Sequence, residues 1–139
     1  MKPIYTASVH VTGGREGSAK SSDGKLNIKM GMPKALGVND QGTNPEQLFA
    51  AGFAACFQSA MGVVAKQRKA DISDSTMDSE VSLFKTETGF ALGLKMTITI
   101  PSVDQKTAEG IVQEAHKICP YSNATRGNME VGFNVHGKA

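Results

Sequence analysis

Two cysteines are the residues of this sequence best suited to covalent chemistry. Cys56 and Cys119 lie 63 positions apart, which is not the short spacing of a zinc-binding knuckle. Two cysteines are also too few for a disulfide scaffold, so both are interpreted as thiols. Only the thiolate is a strong nucleophile, and an ordinary thiol is ionised to a few per cent at neutral pH. A reactive Cys56 therefore requires a neighbouring cation.

Arg15 and Glu46 are the candidate charged partners. A carboxylate can orient a guanidinium fork, and the fork can stabilise a thiolate and donate to a peroxide oxygen. Taken singly, Arg15 fits a solvated turn, Glu46 a first-turn helix carboxylate, and the cysteines core side chains. Ten residues of continuous helix separate Glu46 from Cys56 by about 15 Å. Either Arg15 bridges that distance, or the helix breaks, or two subunits combine their residues, which is the hypothesis that we favour.

Hydrophobic periodicity predicts an α+β fold with the element order ββ-α-ββ-α-β. Thr43 or Asn44, followed by Pro45, predicts the start of a long helix that ends near Lys69. Ser102 with Gln105 is expected to cap a second helix, which Pro120 ends. Alternating side chains predict strands in five segments: residues 5–11, 26–30, 77–85, 90–100 and 129–135. Residues 31–42 are predicted to form a loop.

The first helix is apolar on every face over residues 48–57, so it must be surrounded by protein. One small sheet cannot easily cover it, and its many small residues permit close approach of another helix. We therefore expect a homodimer around a long, central, buried helix. Four large side chains on this helix are expected to line an apolar pocket that favours a hydrocarbon tail: Phe49, Phe53, Phe57 and Met61.

Composition excludes several functional classes. The chain has 139 residues, 40% of them apolar and 20% charged, which predicts a single globular domain over residues 1–139. A net charge of +2 without a basic stripe, together with 6% aromatic residues, argues against nucleic-acid binding. We find no secretion signal and no apolar run of membrane-spanning length, which predicts a cytoplasmic protein. The three histidines show no metal-binding spacing, so no metal is expected.

Three motifs resemble the organic hydroperoxide resistance (Ohr) family, a branch of the osmotically inducible protein C (OsmC) superfamily. They are GGREG at 13–17, TNPEQLFAAGFAACF at 43–57 and CPYSNATRGN at 119–128. The resemblance covers essentially the whole chain in motif order. Phe53 stands where the family often has Tyr, and Glu16 where it often has Asp.

The resemblance implies a thiol-dependent peroxidase that acts on organic and fatty-acid hydroperoxides. Cys56 then matches the peroxidatic cysteine, Cys119 the resolving cysteine, and Arg15 with Glu46 the activating pair. It further implies an OsmC-like intertwined homodimer with its sites at the interface. No cofactor is bound, and the external reductant is expected to be a dihydrolipoyl dithiol on a lipoylated protein. Two alternatives stay open, namely a non-catalytic thiol sensor of oxidised lipids and a purely structural dimer with core cysteines.

Overall fold

The computed structural model describes residues 1–37 and 41–139 of the chain. The described residues form two compact units, Met1–Leu48 and Phe49–Ala139. A long helix begins in the first unit and continues into the second.

The first unit is a three-stranded antiparallel sheet. Its strands, in spatial order, are β1 Val9–Thr12, β2 Ser18–Ser21 and β3 Asn27–Lys29. A 3-10 turn at Gly14–Glu16 joins β1 to β2 and requires glycine at Gly17, where an added Cβ would lie 1.7 Å from the Thr12 carbonyl oxygen. The Asp23-Gly24 turn joins β2 to β3 as an antiparallel hairpin, with Gly24 at φ 76°.

The first unit also corrects the predicted strand order. Strand β2 was not predicted, so the chain opens with three strands rather than two. Strand β1 starts at Val9 and not at Tyr5, because its partner β2 is only four residues long and pairs only with Val9–Thr12. The loop predicted at 31–42 falls partly outside the described residues, and its described part contains no helix or strand.

Helix α1, Pro45–Gln67, confirms the predicted helix start. The Asn44 side chain accepts a hydrogen bond from the Gln47 backbone N–H at 2.9 Å, so Asn44 is the capping residue. Although the sequence has no uninterrupted apolar run of membrane-spanning length, this helix is long and apolar enough to cross a membrane by length and composition, with a mean hydropathy of 1.7 over 18 residues. A core helix of a soluble protein passes the same test, and a third of that segment is buried in this chain.

The second unit combines a mixed sheet with two further helices. These elements are β4 Thr76–Lys85, β5 Phe90–Asp104, α2 Gln105–Ile118, α3 Pro120–Thr125 and β6 Glu130–Lys138. Strand β5 is central, antiparallel to β4 and parallel to β6. The turn between β4 and β5 is closed by a 2.8 Å hydrogen bond from the Thr86 N–H to the Gly89 carbonyl.

The core of the second unit lies between α1, α2 and one face of β5. The alternation predicted for β5 is confirmed, since every second residue from Leu94 to Ile100 is buried. Helix α2 contributes the buried side chains of its apolar face, among them Ile111 and Val112. One side of α1 stays exposed in the single chain, where Val63 is 49% exposed, and its cover by a partner subunit stays a prediction.

The junction between β5 and α2 differs from the prediction. Asp104 caps α2 by accepting a hydrogen bond from the Thr107 N–H at 2.6 Å, and Ser102 does not. The reason is that β5 continues past Ile100 to Asp104, which leaves the Ser102 hydroxyl to donate to the Asp71 carbonyl. A short helix also follows Pro120, so the full element order is βββ-α-ββ-αα-β.

Candidate active site

Cys56 and Cys119 are neighbours in the structure, close enough for the Cys119 side chain to shift the pKa of the Cys56 thiol. Both are free thiols, Cys56 partly buried on α1 and Cys119 fully buried between α2 and α3. A disulfide requires the two sulfurs to approach to about 2.05 Å. Because the two thiols are neighbours in the folded chain, they are the pair that could form this bond.

The Cys56 thiol is less acidic than an ordinary thiol. Burial is the main cause that raises its pKa, and the charge and hydrogen bond of Cys119 raise the pKa further. The Tyr121 backbone N–H acts in the opposite direction, because it donates to the Cys56 sulfur and so lowers the pKa. Burial prevails, so that Cys56 still needs an added positive charge to become a thiolate at neutral pH.

Cys119 is held at a sharp corner of the chain. Its N–H donates to the Ala115 carbonyl at 2.9 Å as the last bond of α2, and its carbonyl accepts from the Asn123 N–H at 3.0 Å as the first bond of α3. Its own backbone is extended, with φ −65° and ψ 125°. Pro120 follows as the first residue of α3, where its fixed φ suits a helix start.

Side chains fix the two helices on either side of that corner. The buried Ser122 hydroxyl lies 2.8 Å from Nδ1 of His116, which links α3 back to α2. Arg126 donates to the His116 carbonyl and, at 2.7 Å, to the Asn123 side chain. Ser122 and Arg126 therefore hold the segment around Cys119 in place.

Three aromatic rings lie next to the thiol pair. Phe49 and Phe53 are on α1, about two turns and one turn before Cys56 respectively, and the Tyr121 ring packs against both. The Tyr121 centroid is 6.2 Å from that of Phe49 and 5.4 Å from that of Phe53. Sequence reasoning missed Tyr121 as a site residue, although its position two residues after Cys119 was the available signal.

Phe57 and Met61, which the sequence predicted as pocket residues, are fully buried in the core of the second unit. Phe57 packs on Phe133 with a centroid distance of 5.0 Å and on His116 at 6.5 Å. Phe53 is also fully buried, and Phe49 is half-buried. Phe49 is thus the most accessible of the four predicted pocket residues, and the substrate role of all four stays a prediction.

Arg15 and Glu46 form a bidentate ion pair in the first unit. The guanidinium donates to the two carboxylate oxygens at 2.8 Å and 2.5 Å. The pair is partly shielded, with the Arg15 side chain 33% and the Glu46 side chain 16% exposed. The hydrogen bond from Arg15 holds the pKa of the Glu46 carboxyl below its usual value, so Glu46 is ionised at neutral pH.

The structure therefore brings the four predicted residues together as two pairs, each within one compact unit. The meeting of the two pairs in one site stays a prediction. Helix α1 is unbroken from Pro45 to Gln67, which excludes a helix break between Glu46 and Cys56. Two of the three alternatives remain, a long reach by Arg15 or a site shared by two subunits.

Known proteins show the same sequence pattern. The family model of OsmC-like proteins matches residues 38–134. An organic hydroperoxide resistance protein of Xanthomonas axonopodis pv. citri (strain 306) is 47% identical over 136 residues, which cover 96% of each chain. This chain belongs to the Ohr family of OsmC-like proteins.

Solved structures show that this Ohr-family chain shares its fold with relatives. An organic hydroperoxide resistance protein from Legionella pneumophila is 47% identical with a TM-score of 0.92, over 97% of this chain and 99% of the other. A second such protein, from Vibrio cholerae O1 biovar eltor, has a molecule of captopril in one of its active sites. It is 37% identical with a TM-score of 0.92, over 97% of this chain and 94% of the other. The α+β architecture of the Ohr-family chain is therefore the OsmC/Ohr fold.

Proposed function

We propose that this Ohr-family chain is a thiol peroxidase that reduces organic hydroperoxides to alcohols. The observation that carries the proposal is the pair of neighbouring, unequally buried thiols, Cys56 partly accessible and Cys119 fully buried. The accessible thiol can meet a substrate, and the buried thiol can react only with its neighbour. We therefore assign Cys56 as the peroxidatic and Cys119 as the resolving cysteine.

The proposed reaction has three balanced steps. The Cys56 thiolate attacks the distal peroxide oxygen, the O–O bond breaks, and the alkoxide takes up a proton to leave as an alcohol. The Cys56 sulfenic acid then condenses with the Cys119 thiol, forming the disulfide and one water. An external dithiol reduces the disulfide by exchange and is itself oxidised to a disulfide.

Arg15 supplies the positive charge that the Cys56 thiol lacks. Burial raises the pKa of Cys56, and a guanidinium near the sulfur offsets that effect by favouring the anion. Glu46 holds both arms of the guanidinium through its bidentate contact and so fixes the direction of the remaining N–H donors. Arg15 and Glu46 thus activate and orient the site in this proposal.

Organic hydroperoxides are the proposed substrates because the Cys56 region is apolar. Phe49 and Tyr121 offer partly exposed aromatic surface, and a hydrocarbon tail gains about 25 cal/mol for each Å² that it buries there. Hydrogen peroxide has no tail and gains nothing. The relatives are named for resistance to organic hydroperoxides, which supports the same substrate class.

The proposed reductant is a dihydrolipoyl dithiol, supplied by a lipoylated protein rather than bound as a cofactor. Captopril, which one active site of the Vibrio cholerae relative holds, is itself a small thiol, and this supports access of an external thiol to the site. A dithiol is favoured because it resolves its own mixed disulfide by forming an intramolecular ring. A cytoplasmic homodimer is part of the proposal.

A steady-state assay tests this function. The protein should turn over tert-butyl hydroperoxide or a fatty-acid hydroperoxide with dihydrolipoamide many times, and much more slowly with glutathione. Cys56→Ser should abolish turnover. A thiol sensor would instead react once and stop, which would refute the enzymatic proposal.

The chain offers a matched control for the arginine. Arg68 forms an ion pair with Glu114 at 2.8 Å, on the exposed surface of the second unit. Arg15→Ala should lower kcat/KM about 100-fold, the usual cost of losing an aligned donor, whereas Arg68→Ala should leave it unchanged. Equal activity of the two variants would refute the role of Arg15.

Mixed dimers test whether the site is shared by two subunits. Arg15→Ala and Cys56→Ser chains are co-expressed, so that a shared site regains one complete set of residues in each mixed dimer. Random assembly then restores about a quarter of the wild-type activity, because half of the dimers are mixed and each has one intact site. A site built within one chain gives no restoration.

A further inference from the structure

The Tyr121 ring packs closely against α1 at Gly52, where the helix has no side chain. A Cβ added at Gly52 would lie 2.8 Å from the Tyr121 hydroxyl oxygen, and 3.4 Å and 3.6 Å from two ring carbons. Only a residue without a side chain permits this approach. Phe49 and Phe53 contact the same ring, so the ring has little freedom to move aside.

The seated ring belongs to the segment that carries the resolving thiol. Tyr121 is separated from Cys119 only by Pro120, whose ring fixes one backbone angle of the link. Beyond Tyr121, the Ser122 hydroxyl ties the segment to His116 at 2.8 Å. Because both ends of this short link are fixed, displacement of the Tyr121 ring from α1 also displaces the backbone near Cys119.

We propose that Gly52 is a positioning residue for the thiol pair. Its missing side chain sets how closely the Tyr121 segment docks on α1, and thereby how closely Cys119 approaches Cys56. Its role in catalysis rests on the proposed peroxidase function, where it governs the resolving step. Its effect on disulfide formation does not depend on peroxide at all.

Gly52→Ala is the test, with Gly62→Ala as its matched control. Both glycines lie on α1, and a Cβ added at Gly62 meets nothing within 4 Å. Both variants therefore gain the same helix propensity, but only Gly52→Ala displaces Tyr121. A third variant, Gly52→Ala with Tyr121→Phe, removes the hydroxyl oxygen and leaves the nearest ring carbon at 3.4 Å, an ordinary contact.

The measurement is the fraction of Cys56–Cys119 disulfide at equilibrium with mixtures of oxidised and reduced dithiothreitol. The distance of 2.8 Å between the added Cβ and the Tyr121 hydroxyl oxygen must lengthen by about 0.6 Å. Misplacement of reacting groups by about 1 Å costs about 100-fold in reactivity, so we expect a loss of about tenfold in the disulfide equilibrium constant. The reduction potential then rises by about 30 mV. Gly62→Ala should match the wild type, and the Tyr121→Phe double variant should recover it.

Two outcomes overturn the proposal. One is a Gly52→Ala protein that forms the disulfide as readily as Gly62→Ala, and the other is a loss that Tyr121→Phe does not restore. If Gly52→Ala fails to fold, Tyr121→Ala in the native background removes the seated ring instead and should lower the disulfide constant similarly. Wild-type peroxidase turnover is measured separately, so its failure would refute the proposed function and leave the dithiothreitol result standing.

Discussion

Met61→Ala and Phe49→Ala should separate the core from the substrate wall, because the sequence placed both residues in one pocket. Met61 is fully buried, and truncation of such a side chain to alanine costs about 2–5 kcal/mol of the free energy of unfolding. For a chain of this length that loss lowers the melting temperature by about 10 °C. Binding of substrate should change little.

Phe49 should behave in the opposite way. Its ring is half-buried and 6.0 Å from the Phe53 centroid, so a hydrocarbon tail can cover part of it. Loss of about 40 Å² of apolar contact at about 25 cal/mol per Å² removes about 1 kcal/mol of binding, or about fivefold in kcat/KM. The effect should appear with a fatty-acid hydroperoxide and be small with tert-butyl hydroperoxide.

The assay compares kcat/KM for both substrates at 20 °C, well below the melting temperature of either variant, and pairs it with urea unfolding. Stability should fall most in Met61→Ala, and discrimination between long and short substrates should fall most in Phe49→Ala. If Met61→Ala lost the same chain-length discrimination while remaining folded, Met61 would line the substrate pocket and our separation of core from wall would be wrong.

Two further predictions concern titratable groups. Cys119→Ala removes two causes that raise the pKa of Cys56, so iodoacetamide should alkylate Cys56 faster at pH 7, and slower alkylation would contradict this. Without a resolving thiol, peroxide should also drive Cys56 to a sulfinic acid that mass spectrometry detects. Burial, with a smaller effect of the Arg126 charge, lowers the pKa of His116, so the unfolded chain binds a proton more readily and stability falls as the pH drops below about 6.5. His116→Phe should flatten this decrease, measured as urea unfolding midpoints between pH 7.5 and 5, and an unchanged pH dependence would exclude His116 as its source. Ser122→Ala should lower the free energy of unfolding by about 1 kcal/mol at pH 7.5.

The sequence predicted the elements that have strong local patterns. Strand β5 alternates over its buried length, and Asn44 with Pro45 marks the start of α1 in residue types alone. Strand β2 was missed because SAKS places a single apolar residue, Ala19, on the buried side, which gives no period to detect. Helix α3 was missed because Pro120 is as typical of a helix end as of a helix start.

The candidate site shows a different limit of sequence reasoning. Residue types identified Cys56 and Cys119 as candidate nucleophiles, but their contact depends on the packing of α1 against α2, across 63 positions of sequence. Tyr121 acts on Cys56 through a backbone N–H, a group that every residue except proline has, so its identity carried no signal. Met61 looked like a pocket residue because pockets and cores are built from the same apolar side chains.

The raised pKa of Cys56 fits a nucleophile that depends on an external cation. Burial lowers the fraction of thiolate, but the nucleophilicity of a thiolate increases with its pKa, and the best attacking thiol has a pKa near the working pH. A site that only lowered the pKa would produce abundant but weaker thiolate. Burial by the second unit raises the pKa of Cys56, while the Tyr121 N–H and the proposed Arg15 charge oppose that rise, so the thiolate that forms stays a strong nucleophile. On this reasoning Arg15→Lys keeps the positive charge but loses the bidentate contact with Glu46. It should therefore retain more Cys56 thiolate than Arg15→Ala, although the cation is no longer oriented. Comparison of the two variants separates the effect of charge from that of geometry.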